Sequence, residues 1–282
     1  MPTAHVNGVD IWYRLEGSGP YLLQVPGAVS GHEGYALVTP AMAPHFTVID
    51  FDPRGYGASS RPAQRYTFDV WADDMAGLLD AIGVERAHVH GGSMGSLVAL
   101  RYAARHADRV HGLVLSGCSA CSDRMARLQF SVWKSLARAY GCGSRELAEE
   151  LCGKAVSRTF LDGPAGDGIV EAVMDVVGRM VGDDVFCDAC DAMIETDLRP
   201  DVAQVVAPTL VLVGDEDQLS PADQGPRGAG GRWIHDHLEA AAVRELVVIE
   251  GSGHANLMDN AERSNAAVVD FLRRVDGRGP AS

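Results

Sequence analysis

The segment His90-Gly91-Gly92-Ser93-Met94-Gly95 follows an apolar run, Ala87 to His90, and precedes a helical pattern, Ser96 to His106. A serine with glycine two residues to either side, between a strand and a helix, has the G-x-S-x-G pattern of a nucleophile elbow. The demand is steric. Such a serine sits in a strained conformation on a very tight turn, so residues two positions away must lack bulk where strand and helix nearly touch. Gly91 and Gly95 satisfy that demand. An ordinary glycine-rich turn can carry the same five letters, and only the flanking strand and helix separate the two readings.

A serine hydroxyl is a poor nucleophile at neutral pH. It needs a base, and the base needs a carboxylate to set its tautomer and stabilise its cation. Downstream, the apolar run Thr209 to Val213 ends at Gly214, and the turn Asp215-Glu216-Asp217 follows where a carboxylate would project from a sheet edge. After a further run comes Gly251-Ser252-Gly253-His254, a flexible loop that lets a histidine reach back over the sheet. The chain order is therefore serine, acid, histidine, with Ser93 as nucleophile and His254 as general base.

These groups need elements to hold them. Val6 to Leu15 reads as two short strands around Asn7-Gly8, a turn pair that tolerates positive φ. Tyr21 to Val25, Phe46 to Phe51, Ala87 to His90, Val110 to Leu115, Thr209 to Val213 and Leu246 to Ile249 are short continuous apolar runs, as expected of strands buried on both faces. Between them lie helical patterns. The clearest opens at the N-cap Thr67, carries Val70, Trp71, Met75, Leu78, Leu79 and Ile82 on one face, and stops at Gly83. Strand-helix alternation predicts a doubly wound α/β fold with a mostly parallel sheet. From about Cys118 to Pro200 the rhythm breaks into helix-rich sequence without strand runs. The expected organisation is a core of residues 1–117 and 201–282 with a helical cap, 118–200, inserted after one strand. Gly225 to Gly231 reads as a mobile loop.

A fourth segment, Asp52-Pro53-Arg54-Gly55-Tyr56-Gly57-Ala58-Ser59, is similar to a D-x-R-G-x-G-x-S pattern. With the elbow and the acid and histidine loops, it makes the chain resemble the α/β-hydrolase superfamily over essentially Val6 to Val275 apart from the cap. The resemblance implies an α/β-hydrolase fold and selects Asp217 as the orienting acid, through glycine followed three residues later by aspartate. Asp215 is the fallback. It also implies an oxyanion hole from the backbone N–H groups of Met94 and Ala28. The chain departs from the family at Pro26-Gly27, where His-Gly is usual; the Ala28 donor survives, but the hydrogen bonds of that histidine are lost. Asp50 to Leu115 is similar to 3-oxoadipate enol-lactonase-like and esterase-like members, which implies hydrolysis of a small carboxylic ester or lactone through an acyl-enzyme, with no metal or organic cofactor. The same triad serves acyltransferases, peptidases and C–C bond hydrolases, and slow-turnover receptors of this fold keep it as well. The elbow also resembles those of proline iminopeptidases and homoserine acetyltransferases, although the H-G-G-P-G loop of the former is absent.

Bulk properties narrow the partners. The 282 residues carry 38 acidic against 24 basic side chains, a net charge of −14, which repels phosphate backbones and anionic membranes. Met1 to Asp10 lacks a basic stretch followed by an apolar run, and nowhere do eighteen apolar residues run together, so a cytoplasmic protein with a small-molecule substrate is expected. A homodimer is compatible with the sequence. Cys118-Ser119-Ala120-Cys121 and Cys187-Asp188-Ala189-Cys190 form two C-x-x-C pairs, but their long spacer favours reduced, half-buried thiols over a zinc site. His32 and Glu33 are candidates to face substrate from the loop after the oxyanion turn, against the plainer reading of solvated loop residues. Arg54 reads as a structural residue holding its turn. The remaining histidines show no metal-ligand grouping beyond His235 and His237, which are two apart on a helix and so face different sides.

Overall fold

The computed structural model describes residues 2–279. Eight strands form one sheet: β1 (Thr3–Val6), β2 (Val9–Gly17), β3 (Tyr21–Val25), β4 (Thr47–Phe51), β5 (Ala87–Gly92), β6 (Val110–Ser116), β7 (Thr209–Gly214) and β8 (Arg244–Ile249). Their order is β1-β2-β4-β3-β5-β6-β7-β8. β1 and β2 pair antiparallel, as do β2 and β4; every other neighbouring pair is parallel. Asn7 and Gly8 make the first turn with φ of 48° and 78°.

The sheet is covered on both faces. On one side the helices Phe68–Ala81 and Met94–Arg105 pack together, burying Trp71, Met75, Leu78 and Leu100. The Thr67 side chain accepts from the Val70 N–H and starts the first of them. On the other side the helix Ala261–Val275 buries Val268, Phe271 and Leu272 in a second core with Leu22, Phe46 and Val114. Central strands are buried along their length, but β8 is half-exposed, because it closes the sheet and has one neighbour only.

Between β6 and β7 the described residues add no strand to the sheet. The longer helices there are Arg124–Tyr140, Arg145–Ala155, Ile169–Met180 and Asp183–Glu195. Asp123 and Ser144 cap the first two by accepting from Ala126 N and Leu147 N. Entry and exit of this segment lie side by side, since Leu198 N donates to Ala120 O at 2.7 Å.

Three expectations change. All six cysteines are free and buried rather than half-buried. Burial pushes the Cys118 thiol up to about 12. The glycine-rich segment is anchored at its end: Ala229 is buried and exchanges backbone hydrogen bonds with Ala120 and Cys121, and Gly231 begins the helix Gly231–His237. Among the described residues, ligand atoms within 4.8 Å of one another occur in His88, His111 and Asp276, a trio drawn from β5, β6 and the end of the last long helix. Asp276 accepts from His88 Nε2 at 3.0 Å and lies 3.2 Å from His111 Nε2, which clasps that helix end to the sheet.

Candidate active site

Ser93 follows β5 directly and precedes the helix Met94–Arg105, with φ 54° and ψ −126°. The helix starts earlier than its apolar pattern indicates because the turn contains this single residue. Its strained backbone is held by a hydrogen bond from Ser93 N to Ser116 O at 2.8 Å. The glycine requirement is visible: a Cβ on Gly95 would stand 2.0 Å from Val25 O, and one on Gly91 2.3 Å from Gly95 O. Gly95→Ala is therefore expected to destabilise the fold by about 3 kcal/mol, at the upper end of overpacking costs. Chemical denaturation checks this, and an unchanged midpoint would contradict the close approach.

Beneath the elbow, His90 is buried with Nε2 3.0 Å from Ser116 Oγ, and burial lowers its pKa to about 3, so it stays neutral. The Tyr35 hydroxyl donates to His90 O at 2.7 Å and reaches Val25 O at 3.1 Å, joining the elbow strand to the strand that leads into Pro26-Gly27-Ala28. That loop lies against the serine; a Cβ on Gly27 would be 3.2 Å from Ser93 Cβ.

His254 comes back over the sheet from the loop after β8. Its Nε2 lies 2.8 Å from Ser93 Oγ and its Nδ1 3.0 Å from Asp217 Oδ2. A carboxylate only accepts, so Nδ1 carries the hydrogen and Nε2 presents its lone pair to the serine hydroxyl. The Asp217 side chain is itself fixed, because Oδ1 accepts from Leu219 N and Ser220 N, both at 2.8 Å. The other two acids of the turn do different work. Asp215 accepts from Ser252 N at 3.2 Å, whereas Glu216 accepts from Arg158 N at 2.8 Å and from the Thr159 hydroxyl at 3.1 Å.

Asp259 is a residue that sequence reasoning missed. It accepts from the Ser252 hydroxyl, from Gly253 N at 2.8 Å and from Ser157 N at 2.8 Å, buckling the histidine loop to the helical segment. It sits five residues beyond His254, a spacing with no local signature. Burial pushes the His254 pKa down, but the charge and hydrogen bond of Asp217, with the more distant Asp259, outweigh it and leave the imidazole above its ordinary value.

A cavity of about 380 Å³ opens onto Ser93 and His254 and is lined by Ala28 and Glu33 and by residues of the helices between β6 and β7. His32 does not line it. Its ring turns the other way, 2.7 Å from Asp52 Oδ1 and against Trp12, because the buried Asp52 carboxylate needs donors. Arg54 holds its turn through two 2.6 Å hydrogen bonds to Asp74. His237 stacks on Trp233 and His235 pairs with Asp236.

Residues 20–141 match the family described as alpha/beta hydrolase fold. The chain is 30% identical over 265 residues to 2-hydroxymuconate semialdehyde hydrolase of Pseudomonas sp. strain CF600, covering 93% of this chain and 86% of that protein. It is 25% identical over 235 residues to 3-oxoadipate enol-lactonase 2 of Acinetobacter baylyi, covering 81% and 79% respectively. The enol-lactonase from Burkholderia xenovorans LB400 superposes with a TM-score of 0.84 at 26% identity, over 96% of this chain and 99% of that one.

Proposed function

The chain belongs to the alpha/beta hydrolase fold family, and from that premise we propose that it hydrolyses a small carboxylic ester or lactone through an acyl-enzyme intermediate. The observation that carries this is the line of contacts Ser93 Oγ to His254 Nε2, at 2.8 Å, and His254 Nδ1 to Asp217, at 3.0 Å. On this reading Ser93 Oγ attacks the carbonyl carbon while His254 takes the hydroxyl proton, and the buried Asp217 stabilises the imidazolium. Ala28 and Met94 offer the oxyanion donors. Neither N–H donates to another backbone group in the described loops and caps. Collapse of the tetrahedral intermediate expels the alcohol or enol oxygen, which receives the proton from His254, and water then releases the acid by the same route in reverse. Residues 118–200 form the cap over the cleft. It is tied to the catalytic loops where Ala255 N donates to Ala155 O and Arg158 N to Glu216.

The test is a pH series with p-nitrophenyl butyrate and a fluorophosphonate label. His254 must be neutral to accept a proton, and its pKa is raised, so kcat/KM should climb through one ionisation whose midpoint lies above the unperturbed ~6.5. Activity is lost below that midpoint and complete above it. Asp259→Asn removes one of the charges that raise this pKa, so the midpoint should move down. Labelling of Ser93 should follow the same limb. Labelling that is flat from about pH 5 to 8 in folded protein would remove His254 as base. A single stoichiometric burst without turnover would indicate a receptor.

A further inference from the structure

The cavity above Ser93 is walled on the cap side by Trp133, Leu151, Val173, Val176, Val177 and Met193. Among the described residues lining it, Glu33 and His254 are the only Asp, Glu, Lys, Arg or His side chains. The Glu33 carboxylate is already taken, since both its oxygens accept from Arg179, at 2.7 and 2.9 Å. Arg179 in turn also holds Asp175, at 3.1 and 2.9 Å, and does not line the cavity. The Tyr35 hydroxyl in the wall is engaged with the carbonyls of Val25 and His90. Among its described lining residues the cavity therefore offers a substrate mostly apolar surface, the side chains of Ser30, Ser93 and Ser116 and the proposed backbone donors, but no unpaired cation.

An ester carbonyl entering such a site needs only the oxyanion donors, and its hydrocarbon chain gains from leaving water. A carboxylate at the far end of the acyl chain would be stripped of water with no counter-charge to replace it, and Glu33 adds a charge of the same sign. We propose that this site takes uncharged, largely apolar esters and turns away esters whose acyl chain ends in a carboxylate. The inference rests on the ester-hydrolase reading of the triad and adds the substrate class to it.

Binding tests it without turnover. In Ser93→Ala, calorimetry at pH 8 should show methyl hexanoate binding at least ~30-fold tighter than monomethyl adipate, which matches it in acyl length and adds one charge. Glu33→Gln on the same background should narrow that gap by at least ~3-fold, because a like charge is removed and Arg179 is released. In the wild type, kcat/KM should favour p-nitrophenyl hexanoate over mono-p-nitrophenyl adipate by at least ~100-fold. Equal or tighter binding of monomethyl adipate, binding of neither ester, or a gap untouched by Glu33→Gln would overturn the proposal. Failure of a fluorophosphonate to label wild-type Ser93 would instead strike the serine-hydrolase reading and leave the binding result to decide the substrate class.

Discussion

Ser93→Ala is expected to lower ester turnover by at least ~10³-fold while leaving the fold intact, since one oxygen is removed and the proposed oxyanion donors and the cavity stay. The structure explains why stability should be spared. The Ser93 hydroxyl faces His254 at the cavity, and the bond that holds the turn, Ser93 N to Ser116 O, belongs to the backbone. Ser93→Gly supplies a check on the geometry. A φ of 54° is costly for a residue with a Cβ and cheap for glycine, so this variant should be equally inactive yet about 1 kcal/mol more stable than Ser93→Ala. Steady-state kinetics with p-nitrophenyl butyrate and urea denaturation measure the two effects. Near-wild-type turnover in either variant would end the assignment of Ser93 as nucleophile.

Asp217→Asn should cost about 10³- to 10⁴-fold in kcat at pH 7, by a different route. An asparagine can keep its oxygen where Oδ1 accepts from Leu219 N and Ser220 N, so its NH2 group is left facing His254 Nδ1. Nδ1 then becomes the acceptor, the hydrogen moves to Nε2, and the lone pair that receives the Ser93 proton is gone. The substrate KM should change little. Asp215→Asn is the matched control. Asp215 is exposed and accepts from Ser252 N, and an asparagine oxygen can do the same, so most activity should survive. Glu216→Gln should keep the chemistry and loosen the contact to Arg158, which would appear in substrate preference before turnover. If Asp215→Asn proved the more damaging, the acid would be wrongly assigned.

Much of this chain could be read without coordinates, and what was legible is local. The Asn7-Gly8 turn, the Thr67 cap and the elbow glycines each report a constraint imposed by atoms within a few residues, such as positive φ, an orphan N–H or room for one Cβ. Continuous apolar runs marked the central strands because a parallel sheet covered on both faces leaves no polar side. β8 was the exception, since strand identity does not reveal which strand ends the sheet.

What tertiary structure alone decided is how groups far apart in the chain face one another. The turn Asp215-Glu216-Asp217 offered three carboxylates of similar chemistry; resemblance to a family favoured Asp217, but only packing shows each with its own partner, on the histidine loop, the helical segment and His254. His32 looked available for substrate until the buried Asp52 claimed its ring. His88, His111 and Asp276 meet across strands and a helix end up to 188 residues apart, and Asp259 fastens a loop to a segment 102 residues away. The direction of the His254 shift depends on burial set against two carboxylates, which needs all three positions at once. Sequence therefore picked out the candidate triad residues and the turns that carry them, because short-range sterics write those turns into adjacent residues. The charge balance, the cavity and its absent cation belong to the folded chain, because they are sums over neighbours that only packing brings together.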